Sequence, residues 1–355
     1  MERRAINETQ TKKQDYHCNP KKEIPIHQKA SAKNLPPNNK STGQGVIIAV
    51  LSKVCQLQIE TPPDSRTPAL GKAVICMNHK QTCPNCPGSP TRVVFNIRQG
   101  NRVVQCTRCK LQFAEAFPDC EKAAPGIYDY DYFKGAIKKQ KQREDVFMEL
   151  LSEVESMLNR KGRLLDVGAG EGTLLKIAAK QGWEAEGTEI ASAMIRYVRE
   201  DLRLTIHQGT LEEIKLSARS FDAIILNHVL EHVKNPRKTL EKVRDLLHAD
   251  GVARIEVPNL ASLSSRAKNF QSRLKLKKNP WKHYSTGHHF WFFTPRTLKK
   301  TLETAGLSPI LLKAPAKQWG DKSLLDRFAN IIFKKMPGGG HLVAYARIRG
   351  IKIIF

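Results

Sequence analysis

No stretch of the 355-residue chain keeps the roughly 18 consecutive apolar residues that a bilayer-crossing helix needs. The early apolar run from Val46 to Leu51 is far too short. Nor is there the apolar core of a secretory leader, since Met1 to Lys40 is polar and charged. Acids are scarce: 34 Asp and Glu stand against 59 Lys and Arg, for a net charge of +25. Residues 1–76 hold 12 of the basic and 6 of the acidic residues, so most of the excess lies further on. Such an imbalance points to an anionic partner (nucleic acid, an acidic membrane surface or a phosphorylated substrate), or else to a solvated basic surface. With only eight cysteines, a dense disulfide scaffold is excluded and a reducing cytoplasm is the expected location, with or without peripheral membrane contact. No internal repeat is visible.

Residues 1–45 lack apolar clustering and are rich in Lys, Asn, Gln, Pro and Ser. Such a segment buries too little surface to offset its ordering entropy, which predicts a disordered arm. The runs GVIIAVL and KAVICM in residues 46–76 flank a Pro-rich stretch and match no element of the domain C-terminal to them. Residues 1–76 are read either as a flexible arm or as an extension ahead of a true start at Met77. A native peptide spanning Ile75 to His79 would exclude the internal start.

Beyond the linker around Ala123 to Tyr132, the pattern changes. Val146, Phe147, Leu150, Leu151, Val154 and Leu158 recur at helical spacing. Strand-like runs (RLLDV, EAEGTEI, LTIHQG, FDAIILN, GVARIEVPN) then alternate with helical ones (TLLKIAAKQ, ASAMIRYVRE, PRKTLEKVRDLL). That alternation predicts right-handed βαβ units and a doubly wound α/β domain on a mostly parallel sheet. LSPILLKA and HLVAYARIR would add the last strands.

Cys83 and Cys86 form one CxxC pair, Cys106 and Cys109 another. Each such turn aims two thiolates at one point, and two turns close a tetrahedral four-thiolate zinc site. The alternating runs between them suit a hairpin turning at Gln99-Gly100. A four-thiolate site leaves no position for water, so the zinc is expected to be structural. Cys18, Cys55, Cys76 and Cys120 have no paired spacing and are read as ordinary thiols.

The segment LLDVGAGEGTLL carries the chemistry. Leu164, Leu165 and Val167 make a buried strand, and Gly168, Ala169, Gly170 and Gly172 come after it as a turn into a helix. Glycines allow positive φ and close approach to a ligand, at the sheet edge where open α/β folds bind nucleotides. Asp166 ends the strand. A carboxylate there is expected to hold the loop and to favour a cationic ligand, whereas a pyrophosphate would be repelled. Glu189 closes the next strand, where an acid accepts bonds from ribose hydroxyls; NAD enzymes share that feature.

From about Arg163 to Asn259, with a weaker tail to Arg349, the chain resembles the class I S-adenosylmethionine (SAM)-dependent methyltransferases. LLDVGAGEG resembles that family's first motif. The resemblance implies Asp166, Gly168, Ala169, Gly170 and Gly172 around the cofactor, with Glu189 and the adjoining Ile190 at the ribose. It implies Gly209, Thr210 and Leu211 at the adenine, where Thr210 replaces a frequent acid. FDAIILNHVLEHV resembles the fourth-strand segment, placing Asn227 and His228 at the strand tip facing the methyl donor. The four-cysteine module with YDYDYF and this core resembles a bacterial subgroup that modifies sugars, lipids or other small metabolites. Glu231-His232 resembles ubiquinone-pathway O-methyltransferases, which carry an acid where His228 stands.

The expected organisation is an arm (1–76), a zinc ribbon (77–125) and a methyltransferase domain (138–355) with a basic helical insertion (260–293). Seven Lys and Arg and no acid accompany Leu260, Leu263, Ala267, Phe270 and Leu274 at helical spacing, a basic amphipathic helix that either lids the substrate, rests on an anionic membrane or covers the sheet. A second such helix is expected over 323–336. His289, leading the run Phe290 to Phe293, is the first candidate for accepting an acceptor proton or orienting the acceptor; His228 is the second. The expected activity is methylation of oxygen or carbon on a small, sugar or lipid-linked acceptor. The alternatives are RNA or protein methylation, with the ribbon and basic surface holding a macromolecule, and a non-catalytic protein that kept the fold.

Overall fold

A computed structural model describes residues 78–96, 102–118, 140–276, 288–315 and 339–350, with isolated positions such as Trp281 and Tyr284. The arm over 1–45, the turn at Gln99-Gly100, the linker around Ala123 to Tyr132 and the helix expected over 323–336 lie outside the described residues. Of residues 46–76, the antiparallel pair Leu57–Gln58 and Val74–Ile75 is described.

After that pair come five short strands: β1 (Asn78–Lys80), β2 (Thr91–Asn96), β3 (Arg102–Cys106), β4 (Gln112–Ala114) and β5 (Ala116–Pro118). The alternating part comprises α1 (Gln140–Leu158), β6 (Arg163–Val167), α2 (Thr173–Lys180), β7 (Glu184–Glu189), α3 (Ser192–Glu200), β8 (Thr205–Gln208), β9 (Phe221–Asn227), α4 (Pro236–Leu246) and β10 (Leu247–Pro258). Last come α5 (Leu263–Arg273), β11 (Trp291–Phe292), α6 (Pro295–Thr304), β12 (Leu307–Lys313) and β13 (His341–Ile348).

Seven strands build the central sheet in the order β8-β7-β6-β9-β10-β13-β12. β6 to β10 run parallel, and β13 enters antiparallel between β10 and β12. This is the α/β doubly wound, Rossmann-like sheet expected from the alternation. The order reverses between β6 and β9, which opens a crevice at the carboxyl ends of those strands.

Period-two alternation assigns the two faces. Leu164, Ala223, Ile225, Val252, Val343 and Tyr345 pack under α1 and α2, while Leu165, Ile224, Leu226, Ala253, Ile255 and Val257 pack under α4 and α6. Each fully buried Leu or Ile contributes roughly 1.5–3 kcal/mol. α4 begins at an Asn235 side chain that accepts from the Arg237 and Lys238 N–H groups, with Pro236 at its first position. α6 begins with a Thr294/Thr297 capping box and Pro295.

The four-cysteine module does not stand apart. β2, β3 and β4 form an antiparallel sheet, and β11 joins it as a fourth strand with Trp291 opposite Phe113. Val104, Leu111 and Phe113 share the main core with Trp291, Leu298 and Leu302. On the other face, Phe95 stacks on Trp281 at 4.3 Å, beside Tyr284 and Phe292.

α5 departs from a buried lid. Ser272 is its buried residue, whereas Leu263, Phe270, Leu274 and the nearby Leu276 are 48%, 63%, 53% and 69% exposed. Its apolar stripe therefore faces outward. No helix among the described residues is long and apolar enough to cross a membrane.

Candidate functional site

At the end of β6, Gly168, Gly170 and Gly172 all take the left-handed backbone, with φ of 70°, 56° and 73°. Each is needed for a different reason. A Cβ on Gly168 would come 2.8 Å from Val229 Cγ2, and one on Gly172 would come 2.8 Å from Val198 Cγ2. A Cβ on Gly170 would meet nothing within 4 Å, so this turn of the loop faces open space. Gly172 is the N-cap of α2 and presents no side-chain cap.

The carboxylates around the loop divide the work differently from the sequence expectation. Glu189, not Asp166, ties the loop down. Its Oε2 accepts the Gly170 N–H at 2.8 Å, and its Oε1 accepts the Ile190 and Ala191 N–H groups at 2.7 and 2.9 Å. Glu171 accepts from Thr173 Oγ1 at 2.6 Å and from Arg143, which fastens α1 to the loop. Asp166 is 3% exposed, and its carboxylate has no hydrogen-bond or ion-pair partner among the described residues. Burial, with Glu171 and Glu189 nearby, holds its pKa well above the usual carboxylate range. Ile190 is 51% exposed beside this edge. Gly209 donates to Glu189 O at 2.9 Å, Thr210 bonds Glu213 through both its N–H and its hydroxyl, and Leu211 is buried. Asp166, the glycine loop, Glu189 and the Gly209–Leu211 turn thus gather at the carboxyl ends of β6, β7 and β8.

Next to them, at the end of β9, Asn227 leads into His228, which is forced to φ 57°. His228 Nδ1 lies 3.2 Å from Glu231 Oε1, and its Nε2 lies 3.5 Å from Glu256 Oε1. Burial works against a charged ring there. The two carboxylates outweigh it and push the His228 pKa up to about 10. Glu256 also faces His341 Nδ1 at 3.4 Å and receives Arg254 Nη2 at 2.7 Å. Tyr345 accepts from Arg254 Nε at 3.2 Å and donates to Glu153.

His289 sits on the neighbouring segment, in edge contact with His232 at 4.7 Å and His288 at 4.6 Å. Burial lowers its pKa to about 4, so the ring is neutral. The segment is pinned where the Phe290 N–H donates to Glu231 O and Phe290 O accepts from Ala114. Pro258, Asn259, Tyr284, His289 and Trp291 line a small cavity of about 50 Å³.

Glu171, Glu256 and His341 were missed in the sequence. Glu256 had a readable signal, since Arg254 and Glu256 are the charged pair in the otherwise apolar run from Val252 to Val257. His341 had none, because it reaches the site from the far end of the domain.

The four cysteine thiols converge within 4.8 Å of one another, with Cys83 and Cys109 Sγ atoms 3.4 Å apart. A tetrahedral zinc about 2.3 Å from each sulfur needs edges of about 3.8 Å, so the cluster is compatible with that ion. The hydrogen bond from Cys83 draws the Cys109 pKa down to about 5.

Residues 140–312 match a family model described as a methyltransferase domain. The chain is 29% identical over 177 residues to a ubiquinone biosynthesis O-methyltransferase of Dinoroseobacter shibae, covering 46% of this chain and 68% of that protein. A protein of the same name from a Ruegeria species is 29% identical over 155 residues, 42% of this chain and 61% of its own length. Among solved structures, a SAM-dependent methyltransferase from Archaeoglobus fulgidus superposes with a TM-score of 0.42 at 21% identity, over 61% of this chain and 99% of that one. A Burkholderia thailandensis 1,6-didemethyltoxoflavin-N1-methyltransferase gives 0.40 at 17%, over 74% and 100%. Residues 140–312 thus match a methyltransferase domain, and the chain is similar there to SAM-dependent methyltransferases.

Proposed function

We propose that the enzyme transfers the methyl group of SAM to an oxygen or carbon atom of a small-molecule, sugar or lipid-linked acceptor. The observation that carries this reading is Asp166, a buried acid with no partner among the described residues, beside the open space at Gly170. A cation is the ligand such a pocket accommodates, and the sulfonium donor is cationic. Gly168, Ala169 and Gly172 shape the cradle. Glu189 keeps lone-pair directions for the ribose hydroxyls while holding the loop. Ile190, Gly209, Thr210 and Leu211 border the adenine, and Asn227 the methyl end.

Methyl transfer asks mainly for alignment and exclusion of water. With a hydroxyl acceptor, the proton leaves, the O–C bond forms as the S–C bond breaks, and the electron pair stays on sulfur. His289 lines the cavity where that acceptor would sit, and His228 stands as the second candidate. The outward apolar stripe of α5 and its basic residues support a lipid-linked acceptor met at an anionic membrane surface. The cysteine cluster, on this reading, holds a structural zinc ion.

A cleft of about 420 Å³ favours the macromolecular alternative. Arg108 and Cys109 line it from the cysteine module, and Arg296, Lys299 and Lys300 from α6. RNA retention that falls steeply with salt would support that alternative. Calorimetry on the full chain tests the main reading. SAM and its demethylated product should both bind, and Asp166→Ala should lose at least about tenfold in affinity, or 1.4 kcal/mol. Absence of binding by folded wild-type protein would end it.

A further inference from the structure

We infer that His228, Glu256 and His341 form a metal site for a divalent transition-metal ion with nitrogen and oxygen ligands, separate from the cysteine cluster. Three strand ends deliver the ligands: His228 succeeds β9, Glu256 lies near the end of β10, and His341 opens β13. Because β13 runs antiparallel, its first residue arrives at the same edge as the last residues of the parallel strands.

The geometry is that of a coordination shell. Glu256 Oε1 lies 3.5 Å from His228 Nε2 and 3.4 Å from His341 Nδ1, and the three ligand atoms fall within 4.8 Å of one another. An ion about 2.1 Å from each ligand in a tetrahedral arrangement has edges of about 3.4 Å.

The surroundings match what metal ligands require. A ligating imidazole usually gives its other N–H to a carboxylate, which fixes the tautomer and raises ligand basicity. His228 has that arrangement, with Nδ1 on Glu231 Oε1 at 3.2 Å while Nε2 faces Glu256. Arg254 holds the other oxygen of Glu256 at 2.7 Å and so leaves Oε1 for the ion. Glu231 is 1% exposed, and its Oε2 has no hydrogen-bond partner among the described residues, an unusual cost for a residue with a structural task alone.

The His228 and His341 side chains are 32% and 33% exposed, so the three ligands leave coordination positions open toward solvent. An open three-ligand site polarises a bound oxygen, whereas a closed four-thiolate site is structural. The use of the ion rests on the methyl-transfer reading: it would hold and acidify the acceptor's hydroxyl at the methyl end of the cofactor.

The test uses the full chain, stripped with chelator and reloaded with cobalt(II). Wild type should take up two equivalents, one giving the strong thiolate-to-metal absorption and one only the weak bands of nitrogen and oxygen ligation. His341→Ala and the milder His341→Gln should each lose the second equivalent alone, and Cys106→Ser the first alone. A wild type that takes up only the thiolate-bound equivalent, or a folded His341 variant that keeps both, would overturn the site. Cofactor calorimetry on the same samples separates the readings. Two equivalents without SAM binding would leave the site standing and end the methyl-transfer reading; SAM binding with one equivalent would do the reverse.

Discussion

Asn85 Nδ2 donates to Thr301 Oγ1 at 2.9 Å, and Asn85 Oδ1 accepts from Thr304 Oγ1 at 3.3 Å, so the first CxxC knuckle is bolted to α6. Asn85 is 7% and Thr301 0% exposed. Asn85→Ala leaves the Thr301 hydroxyl with only its bond to Thr297 O and should cost about 1–3 kcal/mol. Denaturant unfolding, with an unchanged slope and a lower midpoint, is the expected result.

The glycines of the loop should separate stability from binding. Gly172→Ala sets a Cβ 2.8 Å from Val198 at φ 73° and should destabilise the fold by about 1–3 kcal/mol. Gly170→Ala carries the cost of a left-handed backbone but clashes with no protein atom, since its Cβ meets open space. Its loss should appear chiefly in cofactor affinity. Thermal unfolding with and without the demethylated cofactor reads both effects.

Asp166 sets a pH dependence. Its folded pKa is raised, so the folded cofactor-free protein keeps a proton that the unfolded chain has released. Stability contributed by this group is full below the ordinary Asp range and falls as pH rises toward the folded pKa. Asp166→Asn should flatten that fall and be no less stable than wild type at neutral pH, while binding SAM more weakly. Unfolding midpoints across pH 4 to 8 check the sign.

Phe270 and Leu274 are 63% and 53% exposed on α5. Phe270→Glu with Leu274→Glu should leave the unfolding midpoint within about 0.5 kcal/mol, as exposed substitutions do. Co-sedimentation with vesicles rich in anionic lipid should fall several-fold if the helix rests on a membrane. Unchanged sedimentation would remove the lipid-surface reading.

Cys106 is fully buried in the cysteine cluster. If the cluster holds zinc, Cys106→Ser should release it and loosen the sheet that β11 shares with the module. Zinc content and protease sensitivity of residues 78–118 report both consequences.

Much of the architecture was legible from local pattern. The alternation of RLLDV, FDAIILN and GVARIEVPN with helical stretches predicts the parallel sheet, because side-chain period tracks backbone geometry. The glycines after Val167 mark the left-handed loop at the end of β6, because positive φ is cheap only for glycine. Less legible were the contacts that close the site. The apolar periodicity of α5 is real, but a stripe in sequence does not say whether it faces core or solvent. Nothing in WFF predicts that Trp291–Phe292 completes the cysteine module's sheet.

The chain's own order of residues determined which segments become strands and helices, where the loop turns, and which thiols share each CxxC turn, since each depends on neighbours within a few residues. Tertiary structure alone decided that His341 stands beside Glu256 and that Glu189 rather than Asp166 holds the loop. Those outcomes depend on which strand enters the sheet in which direction, a global choice made by burying both faces at once.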